Sequence, residues 1–312
     1  MLFTKSLERS TILDMNIQSF SIVVPNKSCV NKCPFCVSRM VNSDCYPNLI
    51  DINHPHYDIN VNEYLKRMKF VAENGCQTLM LTGTSEPQQN KQFLATLALL
   101  HKQIGSPFTN IEMQCTGLFL NNRDYLRFLR NFVGVNTVAL SINSLVDSEN
   151  NKILGHGHDN MNVKLEELTA LLKEYDFNVR CCFNLNSYFD YFGNTLECMR
   201  NMFRLTKQRF HADQVTLRKL YTSEVATSQG LWIEDHKVSK QFIDIFNRLW
   251  KDQKSIGRTV YGAEIKEVEG VSVIYDTDCM GKKPISDAVK YLILRPNCKL
   301  YASWDSPASL VF

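Results

Sequence analysis

Short apolar runs alternate with amphipathic stretches along the first two thirds of the chain. Ser19–Val24 (SFSIVV) is rich in β-branched residues and stops at Pro25, the pattern of a first strand. Asn60 has the character of a helix N-cap, with Glu63 three residues on. Val61, Leu65, Met68 and Ala72 then share one helix face, and Gly75 is placed to close the helix. Gln77–Leu81 reads as strand two and is followed by a helix over 88–103. Asn110–Cys115 predicts strand three, with a helix from Asn122 to Phe132 after it. Thr137–Ile142 predicts strand four and 162–175 the next helix. Val179–Leu185 predicts strand five, 194–208 a helix, and Gln214–Leu220 strand six. Strands alternating with helices imply parallel β-α-β units. Six such units in about 200 residues predict an α/β fold, a partial (β/α)6 TIM-like barrel with its active site at the C-terminal strand ends.

The rhythm changes after Tyr221. A helix near 235–253 precedes strand-like pieces at 259–265, 270–275 and 290–301, and Pro296-Asn297 is a turn signal. The chain therefore divides into a barrel over 15–220 and a C-terminal α+β cap over 221–312. An open barrel exposes an unpaired strand edge that must be covered. The piece at 290–301 is the best candidate, and its end, Trp304-Asp305-Ser306, would then lie near the barrel mouth and help to enclose substrate.

Composition narrows the setting. The 312 residues are 44% hydrophobic and 21% charged, with a net charge of +3. These values exclude a disordered or fibrous chain and give no reason to expect a nucleic acid duplex or a membrane as partner. The longest apolar runs are too short to span a bilayer, and MLFTKSLERSTILD lacks an apolar signal region. A cytoplasmic location is expected. Eleven cysteines, an odd number at irregular spacing, do not make a secreted disulfide scaffold. Reduced thiols are available as metal ligands instead.

One tight group stands out. Cys29, Cys33 and Cys36 fall on the long connection after strand one. A closed zinc site needs a fourth ligand, which Cys45 or His54 could give. An iron–sulfur cluster normally takes four cysteines, so three leave one iron open. The run Cys29-Val-Asn-Lys-Cys33-Pro-Phe35-Cys36 resembles the C-x-x-x-C-x-aromatic-C signature of the radical S-adenosylmethionine (SAM) superfamily, nearest to its cofactor-biosynthesis and peptide-modifying members. The resemblance implies a [4Fe-4S] cluster on the three cysteines, with SAM chelated at the open iron. Reductive cleavage of SAM would then give a 5′-deoxyadenosyl radical that abstracts hydrogen from substrate. It also implies a flavodoxin- or ferredoxin-like electron donor.

Further residues carry the resemblance over roughly 19–220. Gly83-Thr84-Ser85-Glu86-Pro87 after strand two looks like the superfamily's G-G-x-E-P motif, which implies contacts to the SAM amino group; Thr84 departs from the pattern. Cys115-Thr116-Gly117-Leu118 follows strand three in a matching place. Phe35 in the cysteine motif, Ser141 and Asn143 at the end of strand four, Asn184 on strand five and Arg218 on strand six are the further implied SAM contacts. Cys279 and Cys298 lack a C-x-x-C pairing and do not make an auxiliary cluster. Gly155-His-Gly-His158-Asp reads as a loop after strand four, with metal binding or acid–base work as the alternative. Cys181-Cys182 reads as core. The substrate expected is a small molecule, a nucleoside, nucleotide or amino-acid derivative, with a modified peptide as runner-up and a zinc-binding interaction module as the non-catalytic alternative.

Overall fold

The computed structural model describes residues 17–40, 59–156, 161–222, 226–259, 262–277 and 289–312. Six parallel strands form its centre: β1 (Phe20–Val23), β2 (Thr78–Thr82), β3 (Asn110–Cys115), β4 (Thr137–Ile142), β5 (Asn178–Leu185) and β6 (Gln214–Lys219), adjacent in that order. The crossovers carry α1 (Val37–Met40), α2 (Val61–Glu73), α3 (Lys91–Gln103), α4 (Arg123–Arg127), α5 (Asp147–Leu154), α6 (Leu165–Glu174) and α7 (Leu196–Arg209). This is the partial barrel of a β/α fold. Asn60, Asn90, Asn122 and Thr195 cap α2, α3, α4 and α7, each accepting the backbone N–H of the third residue on. Outward strand residues such as Phe20, Ile22, Leu79, Leu81, Val138 and Leu140 pack beneath the helices in one core. The alternate, inward positions carry much of the polar chemistry.

The tail does not stand apart from this sheet. After α8 (Ser228–Asp235) and α9 (Lys240–Lys251), strands β7 (Ser255–Arg258), β8 (Glu264–Val268) and β9 (Val271–Asp276) form an antiparallel meander, and β9 pairs in parallel with β6. Strands β10 (Leu292–Leu294) and β11 (Leu300–Tyr301) form a hairpin, and β10 pairs in parallel with β1. Both edges of the six-stranded core are thus covered by pieces of the C-terminal segment, giving an eleven-stranded sheet. Glu269 at φ 49° and Gly270 at φ 76° make the tight β8–β9 turn. Arg200 and Arg204 of α7 hold that turn through Glu269 at 2.8 and 3.0 Å.

Several expected elements fall differently. The helix expected near 235–253 is α9, which starts only at Lys240 because Ser239 caps it by accepting the N–H of Phe242, and α8 before it has no counterpart in the sequence pattern. Of the piece at 259–265 only Glu264 and Ile265 are strand, in β8; Gly262 takes φ +81° and Thr259 N–H donates to Ala263 O between β7 and β8. The piece at 290–301 is split by its Pro296-Asn297 turn. Helix α5 has no counterpart among the elements that the sequence pattern predicts. Among the described residues no helix is long and apolar enough to cross a membrane.

Candidate active site

A cavity of about 830 Å³ opens at the C-terminal ends of the central strands. Its wall follows the strand alternation: Glu112 and Gln114 from β3, Ser141 from β4, Arg180, Cys182 and Asn184 from β5, Thr216 and Arg218 from β6. The loops after β1 and β2 supply Cys29, Cys33, Phe35, Cys36 and Gly83 to Glu86. All three cysteines are free thiols, neither fully buried nor fully exposed. Burial pushes the Cys29 and Cys33 thiols above the usual range, and each is raised further by the neighbouring Cys36 sulfur. Among the described residues no three His, Cys, Asp or Glu side chains converge on a single ion. A cluster asks less convergence, because each thiolate binds a different iron. Cys45, His54, Cys279 and His158 lie outside the described residues.

The cysteine loop is laced to its neighbours. Asn26 donates to Ser85 Oγ at 2.7 Å and to Glu86 O at 3.1 Å. Asn90 donates to Pro25 O at 2.6 Å, and Gln89 bridges Val30 N and Ser28 O. Gly83 lies so close to β1 that a Cβ would sit 3.0 Å from Val24 O, which accounts for glycine at the head of GTSEP. Asn31, between the first two cysteines, is the hub. Its Nδ2 donates to Glu86 Oε1 at 2.8 Å and to Thr116 Oγ1 at 3.2 Å, while its Oδ1 meets His156 Nε2 at 2.7 Å. His156 is buried, and its Nδ1 meets Asn151 Oδ1 at 3.0 Å. A neutral ring donates to one of these two oxygens only; a protonated ring donates to both, against burial that holds its pKa below the usual value. Gly155 packs on Lys32 with φ +75°, and Lys32 N–H donates to Leu154 O at 2.9 Å. His156, on the loop after α5, thus supports the cysteine loop from behind.

Glu86 is buried and fully engaged on one side. Its carboxylate accepts from Asn31, from Gln88, and from Thr116 N at 2.9 Å. Burial raises its pKa, and those donors pull it back. Ser141, Asn184 and Arg218 line the cavity with the GTSE segment and Phe35. Asn143 does not. The strand ends at Ile142, and Asn150 Oδ1 captures Asn143 N–H at 2.8 Å, turning the residue inward to the protein. From there Asn143 Oδ1 accepts from Asn184 at 3.1 Å and its carbonyl from Asn186 at 3.0 Å. It orders Asn184 rather than facing the cavity. Cys181 is core, but Cys182 faces the cavity.

Of the lumen's charged layer, sequence reasoning named only Arg218 and missed Glu112, Arg180 and Asp276. Glu112 is buried and meets Arg180 at 2.5 Å; Arg180 Nε donates to Gln214 at 2.8 Å, and Arg218 lies 3.7 Å from Asp276. The available signal was charge at alternate positions of otherwise apolar strands, as in NIEMQC and NVRCCFNL. From the tail, Tyr291, Arg295 and Trp304 reach the same cavity.

The Radical SAM superfamily profile matches residues 23–205, more than half of the chain. The chain belongs to the radical SAM superfamily. No curated protein sequence matches it. Among solved structures, native anSMEcpe with bound AdoMet is similar at a TM-score of 0.58 and 15% identity, covering 91% of this chain and 73% of that one. A hexahistidine-tagged form of anSMEcpe with bound AdoMet gives 0.52 at 16% identity, covering 91% and 71%. A radical SAM methyltransferase from Sphaerobacter thermophilus gives 0.49 at 15% identity, covering 83% and 65%. The two anSMEcpe likenesses are of fold. As a member of the superfamily the chain is an enzyme, and the superfamily's cofactors are a [4Fe-4S] cluster and SAM.

Proposed function

We propose that Cys29, Cys33 and Cys36 hold the [4Fe-4S] cluster and that this cavity is the site of SAM-dependent radical chemistry on a small molecule. The observation that carries the reading is the shared cavity: the cysteine triplet, the GTSE segment and the inward residues of β4 to β6 all line it. Three thiols are the donor set that leaves one iron open. Together the two cofactors supply hydrogen-atom abstraction by a 5′-deoxyadenosyl radical, with the electron coming from a flavodoxin- or ferredoxin-like donor.

The chain's own residues divide the remaining work. The cysteines give up their protons on loading, and burial of Cys33 makes that loss depend on the metal. The Glu86 carboxylate is held by Asn31, Gln88 and Thr116, with Oε2 taking both Gln88 and Thr116 N–H and Oε1 taking Asn31. Oε1, the less occupied oxygen, is offered to the SAM ammonium, beside Gly83, Thr84 and Ser85. Ser141, Asn184 and Arg218 take the SAM carboxylate and ribose, and Asn143 positions Asn184. Phe35 backs the last cysteine and packs on Trp232 with ring centroids 5.6 Å apart. The barrel wall keeps water from the reacting centre. The division into a barrel over 15–220 and a substrate-enclosing segment over 221–312 fits Tyr291, Arg295 and Trp304 on the cavity wall.

The test is anaerobic reconstitution with iron and sulfide, reduction, and assay for 5′-deoxyadenosine from SAM. Brown protein that cleaves SAM supports the reading. Colourless protein that binds zinc and leaves SAM intact returns the triplet to an interaction module.

A further inference from the structure

The cavity wall made by β1, β10 and the chain after them has a chemistry of its own. Ser21 lies opposite Ile293, so Ser19 and Ser21 share the inner face with Tyr291, Ile293 and Arg295. Ser21 Oγ is buried there with no hydrogen-bond partner among the described residues. A buried hydroxyl left unmatched is costly, and its place on a cavity wall points to a partner that arrives with a ligand. Arg295, at the end of the same row, is buried too. Its guanidinium lies over the rings of Tyr301 and Trp304, 5.2 and 5.7 Å from their centroids, and donates to Trp304 O at 2.9 Å. These contacts fix its plane on the wall.

The charge balance of the cavity favours the same side. Among the described residues, five basic side chains line it (Arg180, Arg218, Lys219, Lys290 and Arg295) against three acidic ones, Glu86, Glu112 and Asp276. Glu112 meets Arg180, Asp276 lies by Arg218, and Glu86 is held by amide donors. The acidic residues that line the wall thus sit on the β2, β3 and β9 side, while the tail side brings Lys290 and Arg295 to the wall; burial lowers the Arg295 pKa to about 10, still charged at neutral pH, and nearby Asp305 opposes that shift. SAM carries one net positive charge and an oxidised [4Fe-4S] core on three thiolates one net negative charge, so the two cofactors about cancel and leave the basic excess of the wall unmet. An anionic substrate meets it.

We propose that Ser21, Tyr291 and Arg295 form the substrate's anion subsite, so that the small molecule bears a carboxylate or a phosphate. This rests on reading the cavity as the active site, and it names the substrate class for that site.

The probes are inorganic phosphate and acetate, each titrated at constant ionic strength into cluster-loaded, SAM-bound protein. Saturable binding of either above a chloride control is expected; phosphate alone or acetate alone identifies the group. Ser21→Ala should weaken binding about ten-fold, the loss of one hydrogen bond to a charged partner. Arg295→Met should bring binding below detection. Because Arg295 also anchors the tail, Ser21→Ala is the deciding variant, since its hydroxyl makes no hydrogen bond to any described group. Wild-type protein that binds neither anion, or a Ser21→Ala variant with unchanged affinity, overturns the subsite. Iron content and SAM cleavage on the same samples keep the two readings apart. Loaded, SAM-cleaving protein without anion binding refutes the subsite alone, whereas protein that takes up no iron refutes the active-site reading and the substrate assignment with it.

Discussion

Replacing His156 by Leu tests whether the cysteine loop is built from behind. Leucine keeps much of the volume, so packing changes little. What goes are the two ring contacts, 2.7 Å to Asn31 Oδ1 and 3.0 Å to Asn151 Oδ1. Asn151 Oδ1 still accepts Val163 N–H at 2.8 Å, so its loss is one ordinary hydrogen bond, about 0.5–1.5 kcal/mol. Asn31 Oδ1 is left buried with its ring partner gone, which costs about 1–3 kcal/mol. A neutral ring donates to only one of these oxygens, so the two costs are alternatives and not a sum: about 1–3 kcal/mol with the proton toward Asn31, read by denaturant unfolding of the cluster-free protein under reducing conditions. Asn31 also loses the contact that aims its Nδ2 at Glu86, so iron uptake should fall as well. A cycle with Asn31→Ala should show coupling of about 1–2 kcal/mol, since the two residues share one hydrogen bond. Stability within about 0.5 kcal/mol of wild type, with full iron uptake, would refute the support role.

Gly155→Ala forces a side chain onto a left-handed residue, with its Cβ 2.7 Å from Lys32 Cβ; a loss of about 1–3 kcal/mol and poorer iron retention are expected on thermal unfolding and iron assay. Glu269→Gln breaks the clamp from Arg200 and Arg204, which holds the Glu269 carboxyl below the usual carboxylate range. A lowered folded pKa contributes stability above the unfolded value and loses it as pH falls through the folded one. The wild type should therefore exceed the variant by about 1 kcal/mol at neutral pH, a gap that closes below about pH 4 in unfolding curves taken across pH. Asn143→Ala should weaken SAM binding several-fold in equilibrium titration while iron content holds, because Asn184 loses its 3.1 Å acceptor without any wall residue being removed. Cys298→Ala should leave iron per chain unchanged, whereas Cys33→Ala should lose the cluster.

The strands were legible where apolar runs had firm ends. Asn110–Cys115 and Thr137–Ile142 match residue for residue, and β1 differs by one residue at each end. Helix α5 was hidden because DSENNKIL is polar until its last two residues. Its buried Asn150 and Asn151 are there for hydrogen bonds to partners elsewhere, which leave no periodicity. The cysteine triplet was readable because its chemistry is local in spacing. Asn31 and His156 stand 125 positions apart, and nothing local in either segment announces their contact. Arg295 was unreadable for the same reason: its role depends on β10 lying beside β1, which sits near the other end of the chain. The last residues also do more than enclose the cavity. Phe312 stacks on Phe70 at 5.3 Å and lies under Arg67 at 4.5 Å. Deleting 303–312 would therefore disturb packing, and Trp304→Ala is the cleaner probe of the mouth.

Electron paramagnetic resonance of the reconstituted, reduced protein, recorded before and after SAM is added, tests the central claim most directly. Three cysteines that leave one iron open predict a reduced [4Fe-4S] signal whose shape changes when SAM binds, with the signal absent from Cys29→Ala, Cys33→Ala and Cys36→Ala alike. A cluster signal that SAM leaves unchanged, or one that survives loss of any of the three thiols, would contradict it.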